Sequence, residues 1–166
     1  TLRAQDYKVE SVIIGMSQDN PDMMELKDLI DKADNGKLKK LSDYYYARGI
    51  VYLQIGIDVE KYKNLDPEGL ANYVALTSFT ESLKQFKETN KGKYTKNIFD
   101  NNLLVNAAIG CLNKAITYYN EGNNLLNAGD TANSFAKLKE AKKYFDVIIA
   151  AHEYDPEGKL LINGGK

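Results

Sequence analysis

Cysteine, histidine, arginine and proline are all scarce in this chain of 166 residues. Each scarcity excludes something. A single thiol, Cys111, cannot form an internal disulfide. It lies among Ile109 and Leu112 in an apolar helical stretch and reads as a small buried hydrophobe. The single imidazole, His152, has no second histidine or nearby cysteine with which to hold a metal. It sits near an expected helix end, where a cation can meet exposed carbonyls. Only Arg3 and Arg48 offer the planar fork that binds phosphate bidentately. With 22 basic and 23 acidic residues the formal net charge is −1, so no excess points to nucleic acid or an anionic membrane. The longest apolar stretches, Val12-Ile13-Ile14 and Val147 to Ala151, are far too short to span a bilayer.

Catalytic signatures are missing too. There is no nucleophile elbow, no phosphate loop and no HExxH metal motif. Asp58 and Glu60 are paired carboxylates, but they sit in a connector without the apolar surroundings that would separate their pKa values. Lys137, Lys139, Lys142 and Lys143 are interleaved with Glu140 and Asp146 and read as a solvated face. The expectation is a chain that is not an enzyme, holds no cofactor or metal, binds no nucleic acid and does not span a membrane.

What is present favours helices. Hydrophobic residues make up 43% of the chain, and the three prolines (Pro21, Pro67 and Pro156) act as punctuation. A first helix is expected near 4–17. Asn20-Pro21-Asp22 reads as a start, with Asn as N-cap and Pro in the first turn. Met23, Leu26, Ile30 and Ala33 then mark one buried face, and Asn35-Gly36 ends it. A third helix is expected over 38–55, stopped by Gly56, followed by a connector over 57–65. Asp66-Pro67-Glu68 opens a fourth that runs to about Thr89 and ends at Lys91-Gly92. A long fifth helix is expected over 95–128, capped by Gly129, and a sixth from Asp130 to about Glu153. Six helices and no strand give an all-α fold of antiparallel hairpins: one with two, three with four, five with six. Residues 1–156 form one domain, and 157–166 are expected to be a flexible tail.

The most informative pattern occurs twice. Tyr45, Gly49, Tyr52 and Gly56 repeat as Tyr118, Gly122, Leu125 and Gly129, an aromatic-x3-Gly-x2-bulky-x3-Gly spacing. Each copy is followed by an Ala-x3-Phe pair, Ala75 with Phe79 and Ala141 with Phe145. A glycine lets a partner helix approach closely where two helices cross. Ala75 and Ala141 are the expected receivers, with Phe79 and Phe145 filling the wedge between hairpins. A repeated hairpin pattern implies stacking, and stacked hairpins make surfaces for holding other molecules.

Residues 38–89 and 112–156, which carry these patterns, resemble the tetratricopeptide repeat family. The family's Leu is Arg48 in one copy and Glu121 in the other. The copies are also separated by far more than its repeat of about 34 residues. The resemblance implies a solenoid or, with longer helices, a compact bundle. It also implies a protein or peptide partner on the face lined by the first helix of each hairpin, and weakly a bacterial envelope location after leader removal. That face would carry Tyr46, Ile50 and Gln54 from one copy, and Tyr119, Asn123 and Asn127 from the other. Tyr supplies a flat apolar body with a hydroxyl, and Asn or Gln can pair with an extended backbone. The plainer reading, that both tyrosines are core, is the favoured one, since twelve Tyr residues must be placed and a short helical bundle buries several.

A carboxylate clamp of the kind some members use is not expected, because Tyr46 and Ile116 stand where Lys would be wanted. The expected role is a non-catalytic adaptor. The alternatives are an envelope-associated glycan-binding module, suggested by the asparagines between Asn97 and Asn127 and by the tyrosine content, and a structural part of a larger assembly. An apolar patch at an uncapped end of the stack would mark the last and allow copies to associate.

Overall fold

The computed structural model describes residues 2–33, 41–155 and 158. These fold into seven α-helices: α1 (Leu2–Met16), α2 (Met23–Lys32), α3 (Ser42–Ile57), α4 (Ala71–Thr89), α5 (Thr95–Asp100), α6 (Leu103–Asn127) and α7 (Thr131–His152). No strand occurs among the described residues. The fold is all-α, as its sequence requires.

Where the helices begin and end refines the expected boundaries. Asp22, not Asn20, caps α2: its carboxylate accepts the Glu25 N–H at 3.0 Å, which leaves Pro21 outside the helix. Asp66 satisfies the expected donors without starting α4 itself. Its two oxygens accept the N–H groups of Leu70 at 2.7 Å and Ala71 at 2.9 Å, and the helix begins only at Ala71. Helix α3 runs one residue past Gly56 to Ile57. Asp130 caps α7 as expected, accepting the Asn133 N–H at 3.2 Å. The Asn35-Gly36 stop, residues 38–40 of the expected third helix and the tail from 159 onward lie outside the described residues.

The expected long fifth helix is two helices. The break falls at Asn101-Asn102, where Asn102 adopts a left-handed backbone with φ of 53°. Asn enters that region more readily than other side chains because its amide can bond locally. The break re-aims α5 against α3 and α4, so its Ile98 becomes fully buried.

Three hairpins form in the expected pairs, α1 with α2, α3 with α4, and α6 with α7. The α3–α4 hairpin lies in the middle. On one side α3 meets α1 and α2; on the other α4 meets α6 and α7. The core therefore runs through the centre, with Val12, Ile30, Val51, Leu76, Phe79 and Cys111 fully buried.

Glycines set the spacing of the layers. A Cβ at Gly49 would collide with the Phe79 ring, and one at Gly122 would come within 2.8 Å of Leu138. Asn72 of α4 lies between Gly56 of α3 and Gly110 of α6, and its Nδ2 donates to the Gly56 carbonyl at 3.2 Å.

Polar groups lock the layers in place. The Tyr52 hydroxyl on α3 donates to Asp31 on α2, whose other contact is Lys27 at 2.7 Å. Arg48 lies 5.0 Å from the centre of the Tyr52 ring and donates to Ser78 Oγ of α4 at 3.1 Å. Arg48 thus holds α3 to α4 through a polar contact.

Candidate functional site

Helix α3 builds one wall of an open cleft of about 400 Å³. Tyr46, Ile50 and Gln54 follow one another by single helical turns, so they share a face. Tyr46 is only 6% exposed, and its ring stacks on Tyr94 at 5.5 Å and 13° between planes. Ile50 and Gln54 are half-buried, and Gln54 Nε2 donates to Asp58 Oδ2 at 2.8 Å. Helix α1 contributes Ile13 and Met16. The opposite wall comes from α5 and the start of α6, through Asn97, Asn101 and Asn106. The turn at Asn102 lets these three asparagines line one cavity although they belong to different elements.

None of the described residues lining this cleft is charged, and none is a histidine or cysteine. Its polar groups are amides, the hydroxyls of Ser17, Tyr46 and Tyr94, and backbone. Such a lining can hold neutral hydrogen-bonding groups against an apolar floor. Among the described lining residues it offers no general base or ionised nucleophile.

The six residues expected on one face fall into two groups. Tyr46, Ile50 and Gln54 meet in the cleft. Tyr119, Asn123 and Asn127 do not line it; they lie on α6, where Tyr119 is 50% exposed and Asn127 is exposed. The two tyrosines, equivalent in the repeated pattern, thus have opposite surroundings. The Asn97, Asn101 and Asn106 wall was legible in the sequence only as part of an asparagine-rich stretch. Nothing in the spacing pointed Tyr94 at Tyr46, since the pair is joined by tertiary packing alone.

A second cavity, of about 540 Å³, opens beside the start of α3, lined by Val9, Glu10, Asp43, Thr89 and Lys91 among others. Its hydroxyls and carboxylates are already engaged. Ser42 Oγ lies 2.7 Å from Thr95 Oγ1 and 3.0 Å from Ser82 Oγ, and Asp43 accepts the Tyr94 N–H at 3.1 Å. Glu10 lies 3.7 Å from Lys93. With hydroxyls bonded to each other and to backbone, this cluster ties the ends of α3, α4 and α5 together.

Elsewhere the titratable groups serve the fold. Burial pushes the Cys111 thiol up to about 12, so it stays protonated at neutral pH. Burial, reinforced by the Asp31 carboxylate, raises Tyr52. Burial also drives Tyr144 well above the usual phenol range; its hydroxyl donates to the Gly69 carbonyl at 3.4 Å. Lys27 is raised as well: burial pulls it down, but bonds to Asp31 and Tyr52 outweigh that. No group of three or more metal-ligating side chains occurs among the described residues. No helix there is long and apolar enough to cross a membrane. No family model, curated protein or solved structure matches the chain.

Proposed function

We propose that the protein is a non-catalytic binding module whose cleft between α1, α3, α5 and α6 holds an uncharged, extended peptide segment. The observation that carries this reading is the lining: apolar side chains on the floor, amides and hydroxyls on the walls, and no charge. An extended backbone presents N–H and C=O groups that asparagine and glutamine amides complement from either side. Ile13, Met16 and Ile50 offer apolar surface for its side chains. The volume falls within the range of ordinary ligand clefts, roughly 300–1,000 Å³. Affinity is expected to be about micromolar, on the order of 8 kcal/mol.

Nuclear magnetic resonance tests this directly. Neutral peptides titrated into labelled protein should shift the side-chain amide signals of Asn97, Asn101 and Asn106. An Asn101→Asp, Asn106→Asp variant, shown to be folded by circular dichroism, should weaken binding at least tenfold. It places carboxylates where the wall is neutral. Shifts produced by oligosaccharides and not by peptides would move the ligand class to glycans. Shifts confined to other surfaces would sink the cleft as the site.

A further inference from the structure

The outer side of the α6–α7 hairpin is apolar, and no described residue covers it. On α6, Ile109, Ile116, Tyr119 and Leu126 are all 43% exposed or more. On α7, Phe135 is 71% and Ile149 69% exposed, with Phe145 at 36% between them. Their spacings are 7, 3 and 7 on α6 and 10 and 4 on α7, all near whole numbers of helical turns, which places each set in one stripe along its helix. Contacts between the helices put both stripes on the same side. Lys137 meets Glu121 at 2.7 Å on one flank of the seam, and Gly122 meets Leu138 at the seam itself. Continuing around both antiparallel helices brings Tyr119 and Leu126 level with Phe135 and Phe145. Tyr144, which packs on Tyr73 of α4, and Gly110, which abuts Asn72, point the opposite way. The stripe therefore faces away from the rest of the molecule.

We propose that this face is a homodimer interface, in which the α6–α7 hairpins of two copies pack across a two-fold axis as four helices. Size supports a second copy. At about 200 Å² per large side chain, the seven residues leave roughly 700 Å² in solvent, more than the largest patch on most monomers. That is close to the roughly 800 Å² each partner contributes to a standard interface. Charge supports it as well. Along α6 only Lys114 and Glu121 are charged, and both lie off the stripe, toward Gly69 and Lys137. On α7 two opposite charges stand beside the stripe's apolar residues, Lys142 and Asp146, and they pair with each other at 2.6 Å. A neutral face meets its own copy without repulsion and gives a charged partner or an anionic lipid surface nothing to select. An isologous contact also uses each stripe twice, so the whole patch is covered at once.

Sedimentation equilibrium of the full chain tests the proposal. The mass should rise from 18.6 kDa toward twice that value as concentration passes through the micromolar range. A Phe135→Glu, Ile149→Glu variant changes two highly exposed side chains, so its circular dichroism, and its urea midpoint at a concentration where both chains are monomeric, should match the parent. Its dimer dissociation constant should rise at least 100-fold. A parent that stays at 18.6 kDa at millimolar concentration overturns the proposal. So does a folded double variant that dimerises like the parent, or a monomeric parent that sediments with neutral phosphatidylcholine vesicles. The peptide titration in the cleft is expected to be unchanged in this variant, so the two readings stand or fall separately.

Discussion

The two copies of the repeated pattern start from the same spacing and end in different environments. In the α3–α4 hairpin, Gly49 admits the Phe79 ring, and that ring has no solvent exposure. In the α6–α7 hairpin, Gly122 admits Leu138, and Phe145 reaches the surface. Tyr46 is buried against Tyr94, whereas Tyr119 stands half in solvent. The glycines behave alike because helix crossing within a hairpin is local. The aromatics diverge because their fate depends on what lies beyond the hairpin. The central hairpin has neighbours on both sides, and the last has them on one. Position in the stack, more than the motif, decides which aromatics are core.

The strongest way to break that comparison is to truncate the two phenylalanines. Phe79→Ala should cost about 3–5 kcal/mol, because the lost ring leaves a cavity in a closed core. Phe145→Ala should cost less than about 1.5 kcal/mol, since water already reaches its ring. Urea unfolding followed by circular dichroism, at a concentration where the chain is monomeric, gives both numbers. Equal costs would mean that the last hairpin is packed as tightly as the central one.

The glycines give a smaller effect of the same kind. At Gly49 an added methyl meets an aromatic ring that is enclosed on all sides and has nowhere to shift. Gly49→Ala should therefore destabilise by about 1–3 kcal/mol despite the better helix propensity of alanine. At Gly122 the obstruction is Leu138, through Cγ at 2.8 Å and Cδ2 at 2.9 Å, with the Ser134 carbonyl at 3.3 Å; Leu138 is only half-buried and can turn aside. Gly122→Ala should be neutral to within about 1 kcal/mol. The same unfolding series measures both, and a larger loss at Gly122 would reverse the ranking of the two crossings.

Legibility in the sequence followed the range of the interactions. Apolar periodicity located α2, α4 and α7, because each must bury one face and the period of that face is local. The Asp130 cap was legible for the same reason. Asn102 defeated the expected long helix, because Leu103 to Leu126 and Thr95 to Asp100 are each good helix on their own. Nothing in the string of residues says that the backbone turns left-handed between them. Of the site, Tyr46, Ile50 and Gln54 were legible as one helical face. The asparagine wall and Tyr94 were not, since they arrive through that break and through packing. Tyr119 was assigned to the same face by analogy between copies, and the two copies differ in what surrounds them.

Helix α6 alone carries two faces of opposite character. Cys111 faces inward with no solvent exposure, while Ile109 and Ile116 face outward within about a turn and a half of it. At neutral pH, maleimide should leave the folded chain unlabelled and react once urea unfolds it. At a concentration where the chain is monomeric, an Ile116→Cys, Cys111→Ala variant should label at the rate of a free surface thiol. Labelling of Cys111 in the folded chain at that same rate would mean that the inner face opens to solvent. Its titration adds a direction. The folded chain holds the thiol proton more tightly than the unfolded chain, at about 12 against the ordinary 9.0. The contribution to stability is therefore complete below pH 9 and is lost as pH rises from 9 toward 12. The raised phenols of Tyr52 and Tyr144 add losses of the same sign from about pH 10, their ordinary value. Between pH 9 and 10 the fall in the urea midpoint should belong mostly to Cys111, and Cys111→Ala should flatten it. A variant that loses stability as steeply as the parent over that interval would assign the loss to another group.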